Sequence, residues 1–375
     1  MRRDPVINGS DVSTLRAFNI RTVLELLRPG GAQTVSAISV STGLSRPTVE
    51  AVLEELIAHG LVEEAAVSRS GGVGRPARQY RFRSEAGCIA AVDAGPHGLI
   101  AVLSDLSGER LGTVDCEAGL EDADRALAAL VDALEQLLAQ ASMTSDDLRI
   151  LTLGVPGVVD ATGTLWTSAV VPSWIDVDLT GALRSRYPQA RVIVENDTNL
   201  AAIAEHAVGT VDGATNLVCL LVGHRIGAGL IVNDDLLRGR RGAAAEIGAL
   251  EVLEWAHATD RLRRAVPGAS SVEEIFADGS SAAKAAIERF AEDLALGTAA
   301  LVLAVGPDAV IVGGGISAAG ETFLGRMRAS LAERCLYEPA VVQATHGRLA
   351  VVEGAQILAL RALAERLMDS LDRIV

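Results

Sequence analysis

From Cys88 onward the chain alternates short apolar runs with amphipathic stretches, and the order of those runs occurs twice. IAAVDAG (89–95), LIAVLSD (99–105) and LGTVDC (111–116) read as three consecutive strands. A helix at about 121–140, strand ILTLGV (150–155), strand RVIVEN (191–196) and a helix at about 198–207 follow. The order then restarts with NLVCLLVG (216–223) and GAGLIVND (227–234), offset by 127 residues from the first run. Helices near 281–304 and 320–333, strand DAVIVGGG (308–315), strand RLAVVE (348–353) and a last helix (355–372) complete it. Strands alternating with helices predict an α/β fold, and two similar β-β-β-α-β-α halves predict two lobes with a cleft between them. At 375 residues the chain has room for two or three domains. We divide it into a head (1–85), a first lobe (86–205) and a second lobe (206–375) whose last helix packs back on the first.

The head has a different texture. Leu15, Phe18, Val23, Leu26 and Leu27 share one helical face, ended by Pro29-Gly30-Gly31. A short helix (35–42) stops at Gly43. A third carries Val49, Val52, Leu53, Leu56 and Ile57 at helical spacing, with Ser45 as N-cap and Gly60 as stop. Two β-type runs, 61–64 and 79–83, flank a Gly/Arg/Ser/Pro loop. A short helix, a glycine turn and an amphipathic helix predict a helix-turn-helix, and the two strands make it a winged one. The start of the recognition helix, Ser45-Arg46-Pro47-Thr48, supplies small and hydrogen-bonding side chains. Ser45 and Thr48 suit phosphates, and Arg46 a guanine edge. Segment 68–83 carries Arg69, Arg75, Arg78, Arg81 and Arg83 and no acid. An arginine in a glycine-rich wing suits a narrow minor groove. The bland alternative is a basic linker between domains.

Charge supports the same division. The whole chain carries a formal net charge of -15, yet residues 1–85 hold 11 Arg against 9 Asp+Glu. A basic module on an acidic body is the pattern of a small nucleic-acid-binding domain. The four cysteines (Cys88, Cys116, Cys219, Cys335) are widely spaced and form neither a CxxC pair nor a disulfide framework, which suits the cytoplasm. No apolar run reaches the length of a membrane span, and MRRDPVINGSD is not a secretory signal.

The run GLSRPTVEAVLEELIAHGLVEE (43–64), GRPA (74–77), GVPGVVD (154–160), VENDTNLAAIAE (194–205), AEIGA (245–249) and IVGGGIS (311–317) together resemble the ROK family of repressors, open reading frames and sugar kinases. The resemblance covers nearly the whole chain. It implies an actin-like, ribonuclease-H-like two-lobed domain of the ATPase type behind the winged helix, and a homodimer or homotetramer. It also implies a sugar or sugar-phosphate effector. By the same resemblance Asp197 matches the general base of the kinases, and Asn196 and Glu246 match residues that hold sugar hydroxyls. The competing reading of Asn196-Asp197 is a helix N-cap, since both residue types are favoured there.

The phosphate-handling parts implied by the family are altered. A D-x-G-G-T-K-like turn is replaced by Asp93-Ala94-Gly95-Pro96-His97, and proline lacks a backbone donor. A G-T-G-x-G-x-G turn is replaced by Gly223-His224-Arg225-Ile226-Gly227-Ala228-Gly229. The turn that the resemblance places on the adenosine side, Gly313-Gly314-Gly315, keeps its glycines, which a tight strand–helix connection would also need. The family's His after the E-I-G run is Ala249, and its Asn ahead of the lobe-crossing Trp is Val170 before Trp174. Its cysteine zinc loop has no counterpart, for no cysteine lies between Cys219 and Cys335. The sequence therefore predicts a DNA-binding repressor with a double-stranded operator and a sugar-like effector, no cofactor, no metal and no kinase activity. The alternatives are an ATP-dependent sugar kinase with a DNA-binding head, and an effector-independent regulator.

Overall fold

The head is built by capping. Helix α1 (Gly9–Leu27) is followed by β1 (Gln33–Thr34), α2 (Val35–Thr42), α3 (Arg46–Ala58), β2 (Val62–Ala65) and β3 (Gln79–Phe82). Thr34 and Ser45 open α2 and α3, each side-chain oxygen accepting a backbone N–H three residues on, from Ala37 and Thr48. Gly43 closes α2 in the left-handed region at φ +72°. Ile38, Val49, Val52, Leu53 and Leu56 face inward and are buried. Each such aliphatic side chain contributes roughly 1.5–3 kcal/mol relative to exposure. The three strands form an antiparallel sheet in the order β1-β3-β2. The computed structural model describes residues 9–65, 77–117, 119–223, 225–269, 271–316 and 320–372.

Two sheets of one topology follow. The first lobe contains β4 (Cys88–Gly95), β5 (Gly98–Asp105), β6 (Arg110–Glu117), α4 (Ala123–Gln140), β7 (Leu148–Val155), β8 (Val158–Val159), β9 (Leu165–Thr167), α5 (Leu179–Arg186), β10 (Arg191–Asn196) and α6 (Asp197–Val208). The second contains β11 (Leu217–Val222), β12 (Ile226–Val232), β13 (Asp235–Leu236), α7 (Trp255–Ala265), α8 (Val272–Ala277), α9 (Ser281–Val305), β14 (Ala309–Gly314), α10 (Gly320–Ala332) and β15 (Ala340–Gln343). The sheet orders are β10-β7-β4-β5-β6 and β13-β12-β11-β14-β15. In each, the first three strands pair antiparallel, the fourth pairs parallel to the first, and the fifth pairs parallel to the fourth. The halves thus repeat strand for strand, an N-terminal winged helix-turn-helix standing before an actin-like α/β body.

One strand assignment from the sequence fails. RLAVVE (348–353) is not a strand: α11 spans Ala350–Asp372, and the last strand is β15, at 340–343. Val351 and Val352 favour strands by type, but both are buried at the start of α11, against α6 and the first sheet. Tertiary packing overrides their local preference.

Helix α6 occupies the centre. Thr198 to Glu205 are all buried, and the helix contacts β11 and β12 on one side and α11 on the other. Its buried polar groups are satisfied. Glu205 accepts the backbone N–H groups of Thr345 (2.9 Å) and His346 (3.0 Å), which ties the loop ahead of α11 to the end of α6. Close approach is enforced by glycine. A methyl at Gly354 of α11 would overlap the Leu200 carbonyl oxygen of α6, and methyls at Gly227 and Gly229 of β12 would overlap Thr198.

Helix α11 also reaches the head. Ile20, Leu24 and Leu27 of α1 share one apolar cluster with Ala359 and Leu363 of α11 and with Ile89 and Ile150 of the first sheet. Head and first lobe therefore share a core. Substituting Gly354→Ala should destabilise the chain by roughly 3 kcal/mol, at the upper end of overpacking costs, because backbone must move. Gly279→Ala, where nothing lies within 4 Å of the added methyl, should change stability by less than about 0.5 kcal/mol. Chemical denaturation of both variants checks this.

Candidate functional site

The exposed start of α3 is the first candidate surface. Ser45 and Arg46 are exposed and Thr48 half-buried. The Ser45 and Thr48 hydroxyls hydrogen-bond to each other at 2.7 Å. The Arg46 guanidinium donates to Ser36 Oγ of α2 at 2.8 Å, so it lies across the α2–α3 groove on the solvent side. Of the wing arginines, Arg69 and Arg75 lie outside the described residues, as does most of GRPA. Arg78 is largely exposed and 3.5 Å from Glu64. Arg81 and Arg83 are committed elsewhere. Arg81 pairs with Glu63 and Glu85, Arg83 pairs with Glu63, and Arg83 also donates to the Gly60 carbonyl. The acids that hold them stand outside the acid-free loop, on β2 and after β3, so the run of sequence concealed the pairing.

The second candidate is a cavity of about 930 Å³ between the lobes. Asn196, Asp197 and Glu246 all line it, together with Asp93, Glu273 and Arg348. Asn196 is the N-cap of α6: its Oδ1 accepts the Asn199 N–H at 2.9 Å and its Nδ2 donates to the Gly157 carbonyl at 2.9 Å. The capping duty thus falls on Asn196 and not on Asp197, which is the first helical residue. Asp197 Oδ1 accepts its neighbour's Thr198 N–H at 2.7 Å, and the carboxyl faces the cavity. Glu246 ends the loop ahead of a 3-10 turn at Ile247–Ala249.

Three carboxyls are raised above their ordinary range. Burial pushes Asp93 up to about 7, with the nearby Asp197 charge adding to it and Arg348 opposing. Burial pushes Asp197 up to about 6; the Thr198 hydrogen bonds pull it down and Glu246 adds repulsion. Partial burial raises Glu246, although one side of the residue stays open to solvent. Asp93, read from the sequence only as part of a turn, is therefore the most strongly perturbed of these groups. Its signal was its place at the C-terminal end of a central strand, where α/β sheets gather ligands. Arg348 was hidden by the mistaken strand at 348–353. Among the described residues no group of three or more His, Cys, Asp or Glu is arranged to hold a metal ion.

The glycine-rich turns have structural occupants. The first is the β4–β5 hairpin, where Pro96 offers only a carbonyl, accepting the Leu120 N–H at 2.8 Å. In the second, His224 lies outside the described residues, the Arg225 guanidinium donates to the Ala256 carbonyl, and Gly227 and Gly229 make room for α6. Val170 is half-buried beside Ser168, whose Oγ accepts the Val170 and Val171 N–H groups. Trp174 is buried and donates to the Leu120 carbonyl at 3.0 Å. The lobes are tied to each other by Trp166, which lines the cavity and donates to the Arg241 carbonyl (3.0 Å), and by Arg238 paired with buried Glu195 (2.6 Å).

Comparison with known proteins agrees with this architecture. Residues 89–259 and 256–362 match the profile of the ROK family, and residues 16–66 that of the IclR helix-turn-helix domain. The chain is 26% identical over 356 residues to the xylose repressor of Caldicellulosiruptor bescii, covering 85% of this chain and 88% of that protein. It is 29% identical over 231 residues to a glucokinase of Halalkalibacterium halodurans, covering 52% and 70%. The crystal structure of a ROK family transcriptional regulator, a homolog of the E. coli MLC protein, superposes with a TM-score of 0.72 at 21% identity. It covers 94% of this chain and 98% of that one. No helix among the described residues is long and apolar enough to cross a membrane.

The raised carboxyls set a pH dependence. Between about pH 4 and 7 the folded chain keeps a proton on Asp93 that the unfolded chain has released, so stability falls as pH rises through that window. Asp93→Asn removes the ionisation. At pH 8 the variant should be more stable than the parent by roughly 1–3 kcal/mol, and the gap should shrink as pH is lowered towards 4. Denaturant titrations across that range measure it; a gap that does not vary with pH would contradict the assignment.

Proposed function

We propose that this chain, which belongs to the ROK family and carries an IclR-type helix-turn-helix, is a cytoplasmic transcriptional repressor whose operator binding is controlled by a sugar-like ligand in the cleft. One observation carries this reading: the head shares its core with the first lobe through α1 and α11, and α11 packs on α6, which begins at Asp197 in the cleft. A ligand that closes the cleft bears on α6 directly. The xylose repressor and the glucokinase among its relatives make D-xylose and D-glucose the first sugars to try.

The chemistry of the lining fits a polyol. Carboxylates accept hydroxyl protons, and protonated ones donate as well. Asp197 and Glu246 are the groups we assign to the sugar hydroxyls. Asn196 holds the α6 terminus in place, since both ends of its amide are engaged. Ser45, Arg46 and Thr48 are assigned to DNA, with Arg69, Arg75 and Arg78 following the groove. The operator is a two-fold site read by the two heads of a homodimer, alone or within a tetramer. A change of lobe angle alters the spacing of those heads, which must match the helical repeat.

The chain acts without phosphoryl transfer. That reaction needs backbone donors and cations around the phosphates. Pro96 has no N–H to offer, and the Arg225 guanidinium is engaged by the Ala256 carbonyl.

Three outcomes are expected. Arg46→Ala should weaken operator binding by about tenfold, in line with the 1–3 kcal/mol of a base contact, as measured by gel shift or anisotropy. The double variant Asp197→Ala with Glu246→Ala should keep its operator affinity and lose release by the sugar that works on the parent. If it still releases DNA at the same sugar concentration, the effector site lies elsewhere. Coupled assays with ATP and hexoses should show no steady turnover; turnover abolished by Asp197→Asn would establish a kinase instead.

A further inference from the structure

Gly313 and Gly314 end β14 and Gly315 opens its connection towards α10, a strand-to-helix arrangement that elsewhere receives phosphate on free backbone amides. Here the turn is filled from within. The Gly315 N–H donates to the Val222 carbonyl oxygen at 2.7 Å. The Glu273 carboxyl, from the first turn of α8, lies so close that a methyl on Gly315 would overlap its Oε1. Among the described residues no cation is paired with Glu273. The two arginines that line the cavity have other partners: Arg225 donates to the Ala256 carbonyl and Arg348 pairs with Asp115 at 2.8 Å.

We infer that Glu273 is a specificity-determining residue that seals the Gly313–Gly315 turn against phosphate, so the cleft accepts uncharged polyols and rejects nucleotides and sugar phosphates. Two physical effects act together. The carboxylate fills the space in front of Gly315, and its charge repels a phosphate oxygen approaching that backbone in a cleft whose walls lower the local dielectric. The exclusion of nucleotides rests on the position and charge of Glu273 at the turn and is independent of the proposed effector reading. The restriction to uncharged sugars rests on the proposed effector reading.

Calorimetric titration of the full chain with ADP decides the matter. The parent protein should give no binding at millimolar ADP. Glu273→Gln, which removes charge at nearly constant shape, and Glu273→Ala, which also opens space, should each bind ADP at least about tenfold more tightly than the parent. ADP binding to the parent as tight as to the variants would overturn the inference, as would no gain in either variant. In a parallel assay of operator release by the parent, D-glucose and D-xylose are compared with glucose 6-phosphate. Release by glucose 6-phosphate would overturn the restriction to uncharged ligands. Failure of every sugar to release the operator would count against the effector reading and leave the ADP result standing.

Discussion

Helix α6 is buried from Thr198 to Glu205, and a helix without a solvent face can exist only where its neighbours come close on every side. That demand explains residues scattered over the whole second half of the chain. Gly227 and Gly229 let β12 lie against Thr198, and Gly354 lets α11 rest on the Leu200 carbonyl. Ala201, Ala202 and Ala204 keep the helix itself thin. Both sheets are thereby referred to one rod, and α11 carries the same reference outward to α1 of the head. A closely packed interior transmits displacement between discrete arrangements and does not absorb it.

The polar groups around α6 explain why the cleft is chemically distinct. Asn196 and Glu205 are spent on fastening the two ends of the helix, and Glu195 is held by Asn199 and Arg238. Asp93, Asp197 and Glu246 lack such full sets of partners. They line the cavity with their proton affinities raised, which is costly for folding and useful for holding hydroxyl groups. Two polar contacts join the lobes beside the helix, Trp166 to the Arg241 carbonyl and Arg238 to Glu195.

Much of this was legible in the sequence, for reasons specific to each element. Ser45 before an apolar helical stripe and Gly43 after a short one are local signals, and local signals fixed α2 and α3 closely. The two strand runs and their restart at residue 216 were legible because buried central strands are continuous in apolar character. RLAVVE misled because β-branched residues belong to strands by type, whereas α11 places them by tertiary contact. The division of labour between Asn196 and Asp197 was equally hidden: either residue can cap, and only the backbone decides which one does. Glu273, Arg348 and the pairing of Arg81 with Glu63 depend on partners far apart in sequence or on a turn whose close contacts no pattern reveals.

The account stands on head and first lobe moving as one body. Spin labels at Ala51→Cys on the exposed face of α3 and Arg184→Cys on α5, with Cys116 and Cys335 replaced by Ser, measure the distance between them by pulsed electron resonance. A single narrow distance distribution is predicted, because α1, α11 and the first sheet share one core. A broad or multimodal distribution, as from a head on a loose tether, would contradict it.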